Sequence, residues 1–259
     1  MDAPGAVLEL SVAESIADIP AGEWDALAGP DDPFLAHAFL LAMEESGSVG
    51  PGSGWIPLHL AGRQGGELVC AAPFYLKSHS YGEYIFDWGW AEASQRAGIP
   101  YYPKLVCAAP FTPASARRFL CRDGDPALAR ALWSGARSLA GAAGARSVHV
   151  LFQTEAERTL LEGVDRSFPR LTYQFHWENP GVEDFPGWLA LFRSRDRKKI
   201  RQERRRAADA VDRIFMLRGS ELEARHIDAI WGFYNDTCIR KWGQPYLARG
   251  FFDALRDGL

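Results

Sequence analysis

Two apolar runs, Trp55–Ala61 and Glu67–Lys77, are joined by the five residues GRQGG, and this pattern constrains the fold more than any other in the chain. Paired glycines between strand-like runs are hairpin chemistry, because a tight turn between antiparallel strands needs left-handed backbone that glycine adopts without a Cβ clash. Further strands are predicted at Tyr84–Trp88 and Pro103–Ala109, the latter ended by the PFTP turn at Pro110–Pro113. Strands at this spacing imply a mostly antiparallel sheet. Before them lie a strand over residues 6–12, a helix over 21–28 and a helix beginning near Phe34 and stopped by Gly47.

After the hairpin region the pattern alternates. Asp125-Pro126 opens an Ala/Leu-rich helix to about Ala143, and Ser147–Phe152 reads as a strand whose nearly continuous apolar positions suit a central, doubly covered place in a sheet. Thr154 with Glu157 has capping-box spacing for the next helix. Strands are predicted at Leu171–Trp177 and Val211–Leu217, and helices at Phe185–Leu191, Arg193–Ala208, Glu221–Lys241 and Arg249–Leu259. The class is α+β. NPGVEDFPG, near residue 180, divides the chain into a first domain, 1–180, and a second, 181–259.

Phe74–Phe111 carries ten aromatic residues in 38, about double the density of the whole chain, with Lys77, His79, Glu83, Asp87 and Lys104 among the rings. Rings beside charges fit the wall of a polar ligand pocket, and they equally fit an aromatic sheet core with ordinary edge charges. A second concentration lies at Arg193–Arg206, with nine basic and two acidic residues, while the rest of the chain holds 20 basic and 31 acidic. Arg197, Arg201, Arg204 and Arg205 recur at i, i+4, i+7 and i+8 and share a helical face. Such a face is either solvated or holds an anion, for which the arginine fork suits phosphate or carboxylate.

Other chemistries find no pattern. The four cysteines are far apart and the histidines lack H-x-H or H-E-x-x-H spacing, so no metal is expected. There is no G-x-S-x-G elbow and no P-loop Lys-Ser/Thr pair. No apolar run approaches 18 residues and the N-terminus lacks a basic, then apolar leader, which predicts a cytoplasmic protein without a membrane span.

The stretches PFLAHAFLLAMEESGSVGPGSGW, PFYLKSHSYGEYIFDWGWAEA, YYPKLVCAAPFTP, RDRKKIRQERR and RKWGQPYL resemble the FemAB-like proteins over essentially the whole chain. The resemblance implies N-acyl transfer or peptidoglycan recognition by tandem domains of the GNAT acyltransferase fold, the second copy incomplete at Leu259. It implies acyl-CoA or aminoacyl-tRNA as donor and a nucleotide-sugar or tRNA-linked anionic partner. The Q/R-x-x-G-x-G/A loop that seats acetyl-CoA pyrophosphate is not found at RQGGE or RSLAGAAGA, so no cofactor follows from the residues themselves.

Amide-forming transfer needs an amine that loses its proton and an oxyanion that gains hydrogen bonds. Asp87 and Glu83 are the candidate catalytic carboxylates. Tyr81, Tyr84, Tyr101 and Tyr102 are candidate donors, with Lys77, His79, Trp88 and Lys104 beside them. Lys241, Trp242 and Tyr246 are expected to line the other half of a cleft, and Arg197, Arg201 and Arg205 to take the anion. The alternative is a recognition module that binds such a ligand without chemistry.

Overall fold

The computed structural model describes residues 7–85, 87–162, 167–241 and 243–258. Contacts divide it into two compact units, Met1–Arg170 with Glu223–Leu259, and Leu171–Leu222.

In the first unit the predicted hairpin forms, with Gln64 opposite Glu67 and the turn made by Gly65 and Gly66, at φ 59° and 87°. Its arms do not stay in one sheet. Pro73 has no N–H to continue the ladder, and the backbone breaks there and at the facing Leu58. The outer parts, β3 (His59–Gln64) and β4 (Glu67–Ala72), pair with β1 (Leu8–Ala13) and β7 (Leu120–Cys121) in the order β1-β3-β4-β7. The inner parts, β2 (Trp55–Pro57) and β5 (Phe74–Lys77), join β6 (Lys104–Cys107) and β8 (Val148–Val150) in the order β2-β5-β6-β8. Every pairing is antiparallel except β6 with β8.

Helices cover these sheets. In α4 (Pro126–Ala142), Leu128, Leu132, Ala136 and Ala140 are buried against Val69, Phe74 and Leu105, and Asp125 Oδ1 accepts from Ala127 N at 2.7 Å as the N-cap. A second core gathers Trp24 and Leu27 of α1 (Ala21–Ala28), Phe39 and Leu40 of α2 (His37–Glu45), and Phe251 of α9 (Arg249–Gly258), whose ring meets Phe39 at 5.6 Å. The α8 helix (Ala224–Arg240) packs on α9 through Trp231, Tyr234 and Phe252. α5 (Glu155–Glu162) begins at the expected capping box, with Thr154 N and Oγ1 donating to Glu157 Oε2 at 3.0 Å. The α+β class, with mixed and largely antiparallel sheets flanked by helices, is therefore observed.

Four local expectations are corrected. Tyr84–Trp88 is no strand among its described residues: Gly82 (φ 80°) and Tyr84 (φ 55°) are left-handed, which a strand excludes, and α3 (Trp88–Arg96) begins where the strand was to end. β8 is an edge strand of intermediate burial, because β6 is its one neighbour. β7, two residues long, is too short to show periodicity. Leu171–Trp177 and Val211–Leu217 join no ladder; Leu171, Tyr173 and Phe175 are at least 89% exposed.

The unit Leu171–Leu222 holds α6 (Phe185–Ala190), capped by Asp184 Oδ1 accepting from Gly187 N at 2.7 Å, and α7 (Ser194–Asp209), the predicted basic helix. No residue of α7 is buried.

Candidate functional site

The aromatic-rich stretch folds around one buried ammonium. Lys104 projects from β6 and is fully buried; its Nζ donates to Glu83 Oε2 at 2.7 Å, Asp87 Oδ2 at 2.6 Å and Ser80 Oγ at 2.7 Å. All three acceptors come from the loop between β5 and α3. That loop is pinned at one carbonyl, Tyr81 O, which accepts from Lys77 Nζ at 3.1 Å and Trp55 Nε1 at 3.2 Å. Glycine is needed at position 82, since a Cβ there would come within 2.6 Å of the Phe111 ring.

The carboxylates are held differently. Asp87 is buried, which raises a carboxyl pKa, but hydrogen bonds from Lys104, Ser80 and Tyr101 outweigh burial and hold it below the usual range. The Tyr101 hydroxyl donates to Asp87 Oδ2 at 2.7 Å, and burial together with that bond pushes the phenol well up. For Glu83, burial outweighs the attraction of Lys104 and its pKa is raised. Two carboxylates on one ammonium with their proton affinities pushed apart is an arrangement that divides anchoring from proton transfer. Among the described residues, each also keeps a buried oxygen without a hydrogen-bond partner, Glu83 Oε1 and Asp87 Oδ1.

Lys77, fully buried at the end of β5, lies with Nζ 3.9 Å from the centre of the Trp55 ring. Burial lowers its pKa to about 7; Glu83 opposes the shift and the like charge of Lys104 adds to it. Burial and Lys104 likewise lower His149 to about 4, on the β8 edge beside Tyr101. Tyr102 reaches the cluster through Ser80, hydroxyl to hydroxyl at 2.8 Å.

Above the cluster, His79, Tyr81 and Trp88 form a row of rings, with centroids at 5.3 Å and 4.9 Å, the latter two rings largely exposed. Burial and the nearby Lys77 lower the His79 pKa. Tyr84 turns to a different group, in which Tyr246 stacks on Phe111 at 5.3 Å and meets Tyr84 at 6.3 Å. Tyr246 is held there because its N donates to Tyr234 Oη of α8 at 2.7 Å. Lys241 is exposed at the C-terminal end of α8, and Trp242 lies outside the described residues.

The structure thus brings together Lys77, Glu83, Asp87, Tyr101, Tyr102 and Lys104, with His79, Tyr81 and Trp88 adjoining. Arg197, Arg201 and Arg205 lie on α7 in the unit Leu171–Leu222. There Arg197 donates to Phe192 O at 2.8 Å and Arg204 covers the Phe185 ring at 4.0 Å, while Arg201 and Arg205 are exposed.

Sequence reasoning missed three contributors. Ser80 sits in the right stretch but has no distinctive spacing. Trp55 lies in a run read simply as a strand. Arg170 is more than eighty positions from Asp87 in the chain, yet its Nη1 is 3.9 Å from Asp87 Oδ2 and its guanidinium lies 5.6 Å from the centre of the Trp90 ring. Among the described residues, no three His, Cys, Asp or Glu side chains are grouped to hold a metal ion, and no helix is long and apolar enough to cross a membrane. A separate cleft of about 740 Å³, lined by Gly22, Leu27, Arg117, Cys121 and Asp123 among others, shares no residue with the cluster.

None of the curated proteins matches the chain. Among solved structures, the ribosomal-protein-alanine N-acetyltransferase from Brucella melitensis biovar Abortus 2308 is similar, at 12% identity over 66% of this chain and 99% of that one, with a TM-score of 0.39. Residues 15–259 match the profile of the FemAB-like family, described as peptidoglycan biosynthesis/recognition, and the chain belongs to that family.

Proposed function

We propose that this protein is an N-acyltransferase-like member of its family, passing an acyl or aminoacyl group from acyl-CoA or aminoacyl-tRNA to an amine of a cell-wall precursor in the cytoplasm. We read residues 1–180 as one GNAT-like domain and 181–259 as belonging to a second. The observation that carries the reaction is the pair of buried carboxylates on Lys104, one with a raised and one with a lowered pKa. Asp87, the stronger acid, stays ionised and anchors the acceptor ammonium. Glu83, the weaker acid, takes the proton, freeing the nitrogen lone pair to attack the donor carbonyl. A C–N bond forms, the C–S bond of a thioester or the C–O bond of an ester breaks, and the proton passes to the departing thiolate or alkoxide. Lys77 and Tyr102 supply charge and a hydrogen bond for the developing oxyanion, while Tyr101 keeps Asp87 ionised. Arg197, Arg201 and Arg205 recognise the anionic portion of the nucleotide-linked substrate.

The test is mass spectrometry of amine acceptors, a UDP-linked muropeptide included, incubated with acyl-CoA or with aminoacyl-tRNA. The expected product is the amide, with Glu83→Gln slowing its formation by about 10²–10⁴-fold. No acylated product from any donor and acceptor pair removes the catalytic reading. A second reading, recognition without chemistry, is favoured by the complete burial of Asp87 and Lys104; it expects ligand-induced thermal stabilisation without turnover.

A further inference from the structure

Glu83 and Asp87 are 3% and 0% exposed, and each leaves one oxygen without a partner. An unfilled buried carboxylate oxygen is costly, so such atoms mark a place where a donor is expected to dock. Both carboxylates bind the same Lys104 Nζ, so their bonded oxygens are no farther apart than those two bonds allow. An ammonium, with three donors, is a group whose chemistry suits such oxygens.

Arg170 stands beside them with opposite chemistry. At 3.9 Å from Asp87 Oδ2 its guanidinium is close enough to feel the charge but too far to donate a hydrogen bond to it. Its side chain is 34% exposed, whereas Asp87 and Lys104 are sealed. The 65% exposed Trp90 lies against the guanidinium and fixes its position. A fork with no hydrogen-bond partner among the described residues, set against a ring beside two carboxylates, suits a planar anion.

Resting on the acceptor-amine reading above, we propose that Arg170 is the specificity-determining residue for the acceptor. It receives the carboxylate of an amino-acid end whose ammonium docks on Glu83 Oε1 and Asp87 Oδ1. The substrate class is then an amine with a carboxylate next to it, in preference to a plain alkylamine or a phosphorylated amine.

Calorimetric titration of the full chain with L-alanine, ethylamine, propionate and phosphoethanolamine tests this without any acyl donor. L-alanine is expected to bind at least about tenfold tighter than each of the other three, the worth of a charge-assisted fork contact. In Arg170→Met the ratio of L-alanine to ethylamine affinity falls about tenfold, and in Arg170→Lys, which keeps the charge but loses the fork, it falls by less. Equal affinities in the wild type, no binding of L-alanine, or an unchanged ratio in Arg170→Met overturns the proposal, with circular dichroism confirming that each variant is folded. Binding of L-alanine with the expected ratio but no acyl transfer removes only the catalytic reading. Transfer to plain amines with a ratio indifferent to Arg170 removes only this inference.

Discussion

Charge is concentrated in two places, and the two are built oppositely. The loop between β5 and α3 puts Lys104, Glu83 and Asp87 out of water and satisfies the lysine with three hydrogen bonds under 2.8 Å. The α7 helix and its N-cap Arg193 put nine basic residues within fourteen positions and pair few of them; Lys199 with Glu203, at 3.8 Å, is an ion pair within the helix. Burial makes each charge in the first region depend on its partners. Solvent makes each charge in the second nearly independent. The first is thus preorganised by the fold, and the second is exposed to solvent.

Removing the central ammonium exposes the difference most. Lys104→Met leaves two buried carboxylates without the ammonium that both of them bind, and the expected loss is about 3–5 kcal/mol in urea or guanidinium unfolding. Arg205→Met on α7 is expected to stay within about 0.5 kcal/mol. Equal losses in the two variants would break the contrast.

The pH dependence sharpens it. Lys77 sheds its proton near pH 7 in the fold but, with an ordinary lysine pKa, near 10.4 when unfolded. Between those values the unfolded chain binds more protons, so stability rises with pH by up to about 1.4 kcal/mol per pH unit. The difference between wild type and Lys77→Met, measured by chemical unfolding from pH 6 to 10, should carry that slope. A flat difference would mean that Lys77 is hydrated and that the cluster is not sealed.

A smaller effect belongs to Tyr101. Its hydroxyl is one of the groups holding Asp87 ionised, so Tyr101→Phe is expected to cost about 1–2 kcal/mol and to raise the Asp87 pKa, read by carboxyl NMR titration. An Asp87 titration that does not move would assign its depression to Lys104 and Ser80.

Much of this was legible in the residues, for reasons that can be named. The Gly65-Gly66 turn, the Asp125 cap and the Thr154–Glu157 box are local interactions, spaced within four residues, and all form as read. The mixture of charges and rings in Phe74–Phe111 singled out the stretch but left a pocket wall and a sheet core with edge charges open, because a charge in an apolar stretch requires a partner nearby without saying which. The backbone of residues 78–85 was not legible, since Tyr84 is left-handed although it is not glycine. Nor was Arg170, whose contact with Asp87 comes only from the tertiary fold. At Leu171–Trp177 the alternation Leu171, Tyr173, Phe175, Trp177 is present without a ladder among the described residues. Alternation states which side a strand would bury and not whether a neighbouring strand is there to pair with it.

The faintest expected effect isolates the exposed region. Arg201 has an arginine four residues before it, Arg197, and another four after, Arg205, and each like-charged pair at that spacing destabilises a helix by about 0.2–0.5 kcal/mol. Arg201→Gln relieves both pairs and keeps a good helix former, so a slight gain in stability is expected in low salt, vanishing as salt screens the charges. If the same substitution weakens binding of a polyanion such as heparin and flattens its salt dependence by about one counterion, then α7 keeps self-repelling charge at the expense of its own stability. A loss of stability instead would mean that Arg201 has a partner within the fold, and α7 would then resemble the Lys104 cluster in kind, differing only in exposure.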